Sequence, residues 1–141
     1  MKYFDDFQIG DKTVTRARTI TEADIVNFAA LSGDWNRLHT DIEFAITGPF
    51  GERIAHGMLV LSVASGLMPL DEMAIVAFYG MDKVRFLSPT KIGDTLHVEM
   101  EVIDKQDKGE QNGVVSIKQS IKNHRKEDVV VTIMKLLIAK H

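Results

Sequence analysis

A chain of 141 residues with 45% hydrophobic and 26% charged side chains can bury a sizeable core and is too apolar for a disordered polymer, so one folded domain over residues 1–141 is expected. A formal net charge of −3 gives no electrostatic footprint for nucleic acid or an anionic membrane surface, and the lack of cysteine excludes disulfides and thiolate nucleophiles. The start, Met1-Lys2-Tyr3-Phe4-Asp5-Asp6, carries acids where a secretory signal needs a basic, then apolar, segment, and the longest apolar stretch, 58–70, is too short and too interrupted to cross a bilayer; a cytoplasmic protein is predicted.

In chain order, the turn Gly10-Asp11-Lys12 introduces a strand predicted around 14–20. Thr21, with Asp24 three residues on, is a helix-capping signature, and Ile25, Phe28 and Ala29 follow at helical spacing until Ser32-Gly33 ends the helix. Residues 34–39 then read as a loop. A second helix is predicted over 57–68, stopped by Pro69; Met58, Leu59, Val60, Leu61, Val63, Ala64 and Leu67 leave it no broad polar face, so it is expected to be surrounded by protein.

The second half has the period of strands. Two short candidates, 74–78 and 83–87, precede a bend at Pro89 and Gly93-Asp94. Leu96, Val98, Met100 and Val102 alternate with His97, Glu99 and Glu101, as in a half-buried strand. Val115, Ile117 and Ile121 continue the alternation with a polar interruption at Gln119, and 129–138 is a β-branched final run. Turn residues at 107–113 and 124–128 separate antiparallel neighbours. These elements predict an α+β fold in which one curved antiparallel sheet of five or six strands wraps a central helix.

Acids, imidazoles and glycine concentrate in residues 32–41 and 54–59. Asp34 and His39 are five apart in a segment able to fold back on itself, and a carboxylate with an imidazole is a suitable acid–base pair for one water near neutral pH. The plain alternative is a turn aspartate and a packed or surface histidine. Gly57 opens the apolar helix, whose unpaired amides and positive dipole end could face a developing oxyanion; close packing of helix on sheet would equally call for glycine there. His56 reads as structural. Asp34, His39 and Asp41 lack a strong ligand pattern, and no metal is expected.

The segment Asn27-Phe28-Ala29-Ala30-Leu31-Ser32-Gly33-Asp34-Trp35-Asn36-Arg37-Leu38-His39-Thr40-Asp41, with Ile54-Ala55-His56-Gly57-Met58-Leu59, closely resembles the MaoC-like dehydratases, including the (R)-specific enoyl-CoA hydratases. Phe7-Gln8-Ile9-Gly10-Asp11, Arg85-Phe86-Leu87-Ser88-Pro89 and Gly93-Asp94 extend the resemblance along nearly the whole chain. It implies the hot dog fold, an antiparallel sheet around a long central helix, paired into homodimers. It implies reversible hydration of a trans-2-enoyl-CoA to a (3R)-3-hydroxyacyl-CoA, coenzyme A being part of the substrate and no metal or redox cofactor taking part. By the same resemblance Asp34 and His39 are the catalytic dyad, Asn36 supports the site, Gly57 binds the thioester oxygen through its amide, and Ser65 lies near the acyl pocket.

The acyl tail is expected to run along Val60 and Ala64. Position 37 is Arg where the family usually has proline, either loosening the dyad or offering a cation to CoA phosphates, and Trp35 stands where the family has a smaller aromatic. The rival readings are a hot dog thioesterase, which directs water at the carbonyl carbon, and a non-catalytic acyl-CoA-binding module.

Overall fold

Capping chemistry sets the first helix where the sequence predicts it. In the computed structural model, which describes residues 1–141, α1 spans Glu22–Ser32. The Thr21 side chain accepts the Asp24 amide while the Asp24 carboxylate accepts the Thr21 amide, a reciprocal capping box. Gly33, at φ +77°, closes the helix in the left-handed conformation. Beyond it lie two short helices, α2 (Arg37–Thr40) and α3 (Ile42–Ile46), so the expected loop 34–39 is helical from Arg37. The central helix α4 spans Gly57–Leu67 and buries Leu59, Val60, Val63, Ala64 and Leu67.

The sheet contains β1 (Lys12–Val14), β2 (Arg18–Thr19), β3 (Ile75–Phe86), β4 (Thr95–Asp107), β5 (Asn112–Asn123) and β6 (Asp128–Ala139). Its order is β1-β4-β5-β6-β3, with β2 also on β4, and every pairing is antiparallel. The period-two pattern of β4 sends Leu96, Val98, Met100 and Val102 into one core with Ile117, Ile121, Val130, Met134 and the buried face of α4. The α+β prediction of a sheet wrapped on a helix matches this arrangement.

Three expectations change. The strand predicted over 14–20 is two pieces, because the Thr15 hydroxyl accepts the Val98 amide at 2.9 Å in place of a ladder carbonyl and the chain leaves the sheet before returning at Arg18. The two candidates at 74–78 and 83–87 are one strand, β3, whose register on β6 slips at three bulges, one of them containing Lys83 at φ +52°; the bulges break the alternation and hide its continuity. Gln119 does not interrupt β5: it is buried, and its side-chain amide donates to Met68 Sδ at 2.8 Å.

The central helix is also less enclosed than its composition predicts. Met58 is 62% exposed, and Ser62 and Ser65 face the same open side. Edge strand β3 likewise exposes Val76, Phe78 and Tyr79.

Candidate active site

The exit from α1 delivers Asp34. Ser32 Oγ donates to the Phe28 carbonyl at 2.7 Å and accepts the Asp34 amide at 3.1 Å, so the residue after the Gly33 cap leaves the helix in a set direction. Asp34 Oδ1 then accepts the Asn36 amide at 3.1 Å, and Asn36 Oδ1 accepts the Leu38 amide at 3.0 Å as the N-cap of α2. Asn36 thus holds the short helix that carries His39, and its side-chain oxygen is engaged in doing so.

Arg37 occupies the first position of α2, where an amide has no intrahelical partner and proline fits without loss. The segment is held here by other means. Arg37 Nε reaches Asp41 Oδ2 at 3.2 Å and its guanidinium lies 4.5 Å from the centre of the Phe44 ring. Asp41 also caps α3: the Phe44 amide, followed by the Arg37 side chain, holds its carboxyl below the usual carboxylate range. With both oxygens so engaged, Asp41 is a structural anion rather than a third ligand for a metal.

His39 is aimed by a distant carbonyl. Its Nδ1 donates to the Ile54 carbonyl oxygen at 2.7 Å, and since a carbonyl only accepts, Nδ1 carries the hydrogen and Nε2 presents a lone pair. The His56 ring stacks on His39 with centroids 3.9 Å apart and meets Phe28 edge-on at 4.9 Å, while its Nε2 donates to the Asp34 carbonyl at 2.9 Å. Side-chain polar atoms of Asp34, His39 and His56 all lie within 4.8 Å of one another. As a metal cradle the trio fits poorly: one nitrogen of each imidazole is spent on a carbonyl, and rings stacked at 27° send their in-plane lone pairs side by side rather than toward one ion.

Gly57, the first residue of α4, has an amide with no acceptor in the chain. A side chain there would collide with Phe86, whose Cε1 lies 2.7 Å from where a Cβ would stand. The neighbouring ring needs the space, as close packing requires, and the Gly57 amide is free at the positive end of an eleven-residue helix. His39 and Gly57 line one cavity of about 420 Å³, with Leu38, Val60, Phe86 and Thr90 among its walls.

The remaining expectations divide. Val60 is on the cavity wall; Ala64, 1% exposed, is packed in the core and does not border it. Ser65 is exposed, donates to the Ser62 carbonyl at 2.6 Å and lines a separate surface groove with Arg16. Five residues beyond Val60, it is rotated by about 140° around the helix and so turned from the cavity. Trp35 is half exposed and outside the cavity lining. Sequence reasoning missed Phe86 and Thr90 as cavity residues, although Phe86 lies in a segment that carries the family resemblance. The buried Thr90 hydroxyl has no partner in the chain.

Residues 6–124 match the family described as the MaoC like domain. The chain is 47% identical over 100 residues to Protein MaoC of Klebsiella aerogenes, a match covering 70% of this chain and 30% of that protein. It is 36% identical over 102 residues to an (R)-specific enoyl-CoA hydratase of Rhodospirillum rubrum, covering 72% of this chain and 70% of the relative. The crystal structure of a monoamine oxidase regulatory protein from Archaeoglobus fulgius superposes with a TM-score of 0.94 at 46% identity, over 99% of this chain and 95% of that one. A conserved hypothetical protein of Mycobacterium tuberculosis with a double hotdog fold superposes with a TM-score of 0.87 over 99% of this chain and 44% of its own, at 20% identity, a likeness of fold alone. The chain thus spans under a third of the MaoC protein it matches, and the sheet wrapped on α4 is the hot dog fold. A family match over most of its length, joined to these relatives, means that the chain belongs to the MaoC-like dehydratase domain family.

Proposed function

We propose that this chain is a hydro-lyase that interconverts trans-2-enoyl-CoA and (3R)-3-hydroxyacyl-CoA, with Asp34 and His39 as its proton-transfer groups. The observation that carries the reading is convergence: His39 and Gly57, whose amide is unengaged, line one cavity, and Asp34, outside that lining, brings its carboxylate within 4.8 Å of the imidazole. The (R)-specific hydratase among the relatives supports the reaction class.

The thioester carbonyl withdraws electrons from C3 of the enoyl group, making it electrophilic. His39 Nε2 takes a proton from water, Asp34 orients that water through its second O–H, and the water oxygen bonds to C3. The C2–C3 π pair moves toward the carbonyl, where the Gly57 amide and the helix dipole stabilise the enolate oxygen. A proton returned by the dyad to C2 completes the addition, and dehydration is the reverse. Every step is a proton transfer or the making of one carbon–oxygen bond, so this route calls for no metal or redox group.

The test is incubation with crotonyl-CoA, following loss of the enoyl absorbance and release of free thiol separately. Loss of absorbance without thiol is expected. Thiol release would replace the reading with a thioesterase, and binding with neither change would make the chain a carrier or sensor of acyl-CoA.

The functional unit we propose is a homodimer. Edge strand β3, with Phe78 58% exposed beside Val76 and Tyr79, and the open side of α4 at Met58 present apolar surface that a second copy would cover. Light scattering should give twice the chain mass of 15.8 kDa at micromolar concentration; a monomer would refute it.

A further inference from the structure

One buried imidazole takes no part in the chemistry above. His56 is 2% exposed, and its Nδ1 has no hydrogen-bond partner in the chain. A side chain needed only to fill this space would avoid that orphaned nitrogen, because an unpaired buried polar atom is destabilising. Its other contacts give the residue a use. Nε2–H donates to the backbone carbonyl of Asp34 across 22 residues of sequence, the ring face stacks on His39, and the backbone of His56 is the N-cap of α4, directly before Gly57.

We propose that His56 is a positioning residue that fixes Asp34, His39 and the Gly57 amide relative to one another, an inference that rests on the hydration reading. Apart from His56, Asp34 itself is held only by the Ser32 and Asn36 contacts of its own segment, while Leu38 and His39 tie the following turn to Ile54, three residues before α4. The bond to the Asp34 carbonyl orients the peptide that leaves its Cα, and with it the direction of the Cα–Cβ bond that carries the carboxylate. The stacked ring limits the tilt of His39, already pinned at Nδ1 by Ile54. Since the same residue is the N-cap of α4, it is the direct link between Asp34 and the oxyanion amide, and a large shift of Asp34 against α4 must break its bond.

Two variants separate this role from simple packing. His56→Phe keeps a flat ring against His39 and Phe28 but removes the donor; His56→Gln restores a donor without the stack. With crotonyl-CoA, His56→Phe should lower kcat by about twentyfold or more with KM within about twofold, because misplacing proton-transfer groups costs turnover more than binding. His56→Gln should recover at least about fivefold of that loss. A folded His56→Phe with kcat within about threefold of the parent, or a glutamine variant no faster than phenylalanine, overturns the proposal. Should His56→Phe fail to fold, His56→Gln decides alone: kcat within about tenfold of the parent upholds the donor role and a larger loss refutes it.

A second readout needs no turnover. The backbone ¹⁵N resonance of Trp35, on the same peptide as the Asp34 carbonyl, should shift upfield in His56→Phe and return toward the parent in His56→Gln. An unmoved resonance in His56→Phe refutes the positioning. A parent enzyme inactive on enoyl-CoA would refute the hydration reading instead, and the Trp35 resonance would still decide the role of His56.

Discussion

The two halves of the site are built on different physical scales. The segment from Ser32 to Thr40 is exposed or half-buried and is shaped by bonds between residues two to five apart: Ser32 to Phe28 and Asp34, Asp34 to Asn36, Asn36 to Leu38, Thr40 to Trp35. The start of α4 is placed by the core, with His56 buried, Ala55 donating to the Thr90 carbonyl at 2.7 Å and Phe86 of β3 packed where a Gly57 side chain would be. On the proposed mechanism, the groups that move protons sit on a locally stapled segment, and the oxyanion amide sits on the scaffold. Changes in the first region should therefore cost activity without the fold, and changes in the second should test how tightly the two are coupled.

The largest effect belongs to the dyad. Asp34→Asn keeps an oxygen for the Asn36 amide, and Asp34 is exposed, so the melting temperature should hold while turnover falls at least about a hundredfold. His39→Ala should lower turnover as much, and the double variant should be little worse than the poorer single, because in the proposed mechanism the pair acts on one water. Near-normal turnover in either single variant would remove that residue from the mechanism.

A smaller effect is expected at Gly57. Gly57→Ala forces the Phe86 ring to move, yet that ring is half exposed and can swing aside, so the stability cost should be only about 1 kcal/mol. Activity should fall further, about tenfold in kcat/KM, as the methyl and the displaced ring crowd the amide and the cavity. Calorimetry beside steady-state kinetics measures both; a variant that loses stability and keeps activity would mean that the carbonyl docks elsewhere.

The least effect on chemistry, and a pH-dependent one on stability, is expected at the clamp between the 91–94 turn and the β5–β6 turn. Arg125 Nη1 and Nη2 donate to the two Asp94 oxygens, each at 3.0 Å. Burial pushes the Asp94 carboxyl up, but the Arg125 fork, the Lys91 amide and the arginine charge together pull it below its usual value. A carboxyl lowered in the folded state contributes stability above its unfolded pKa and loses it as pH falls through the folded value. Removing the fork in Arg125→Ala leaves burial opposed mainly by the Lys91 amide, so the melting temperature of the variant should lag the parent by more and more as pH rises from the lowered folded-state pKa to the ordinary carboxylate value, then by a constant amount. A gap independent of pH would show that the pair is not the source of the stability.

What could be read from the chain follows the same division. Thr21 with Asp24 located the start of α1 and Gly33 its end, because caps and left-handed turns act over three or four residues. The alternation of Leu96 to Val102 told which face of β4 is buried, since side chains two apart share a face whatever pairs with the strand. The residues of the MaoC-like resemblance named Asp34, His39 and Gly57, and Gly57 joins His39 at the cavity.

Tertiary structure alone decided the rest. That β3 is one strand follows from its bulged pairing with β6, some fifty residues later in the chain, which no local period reveals. That Ala64 belongs to the core, Ser65 to the surface and Val60 to the cavity depends on which side of α4 meets the sheet, a question on which an almost wholly apolar helix is silent. The free lone pair of His39 exists because Ile54 happens to offer its carbonyl there, and the link between Asp34 and α4 exists because His56 reaches back to it. Short-range chemistry specifies which residues can act; only the closing of the chain on itself brings them within reach of one molecule.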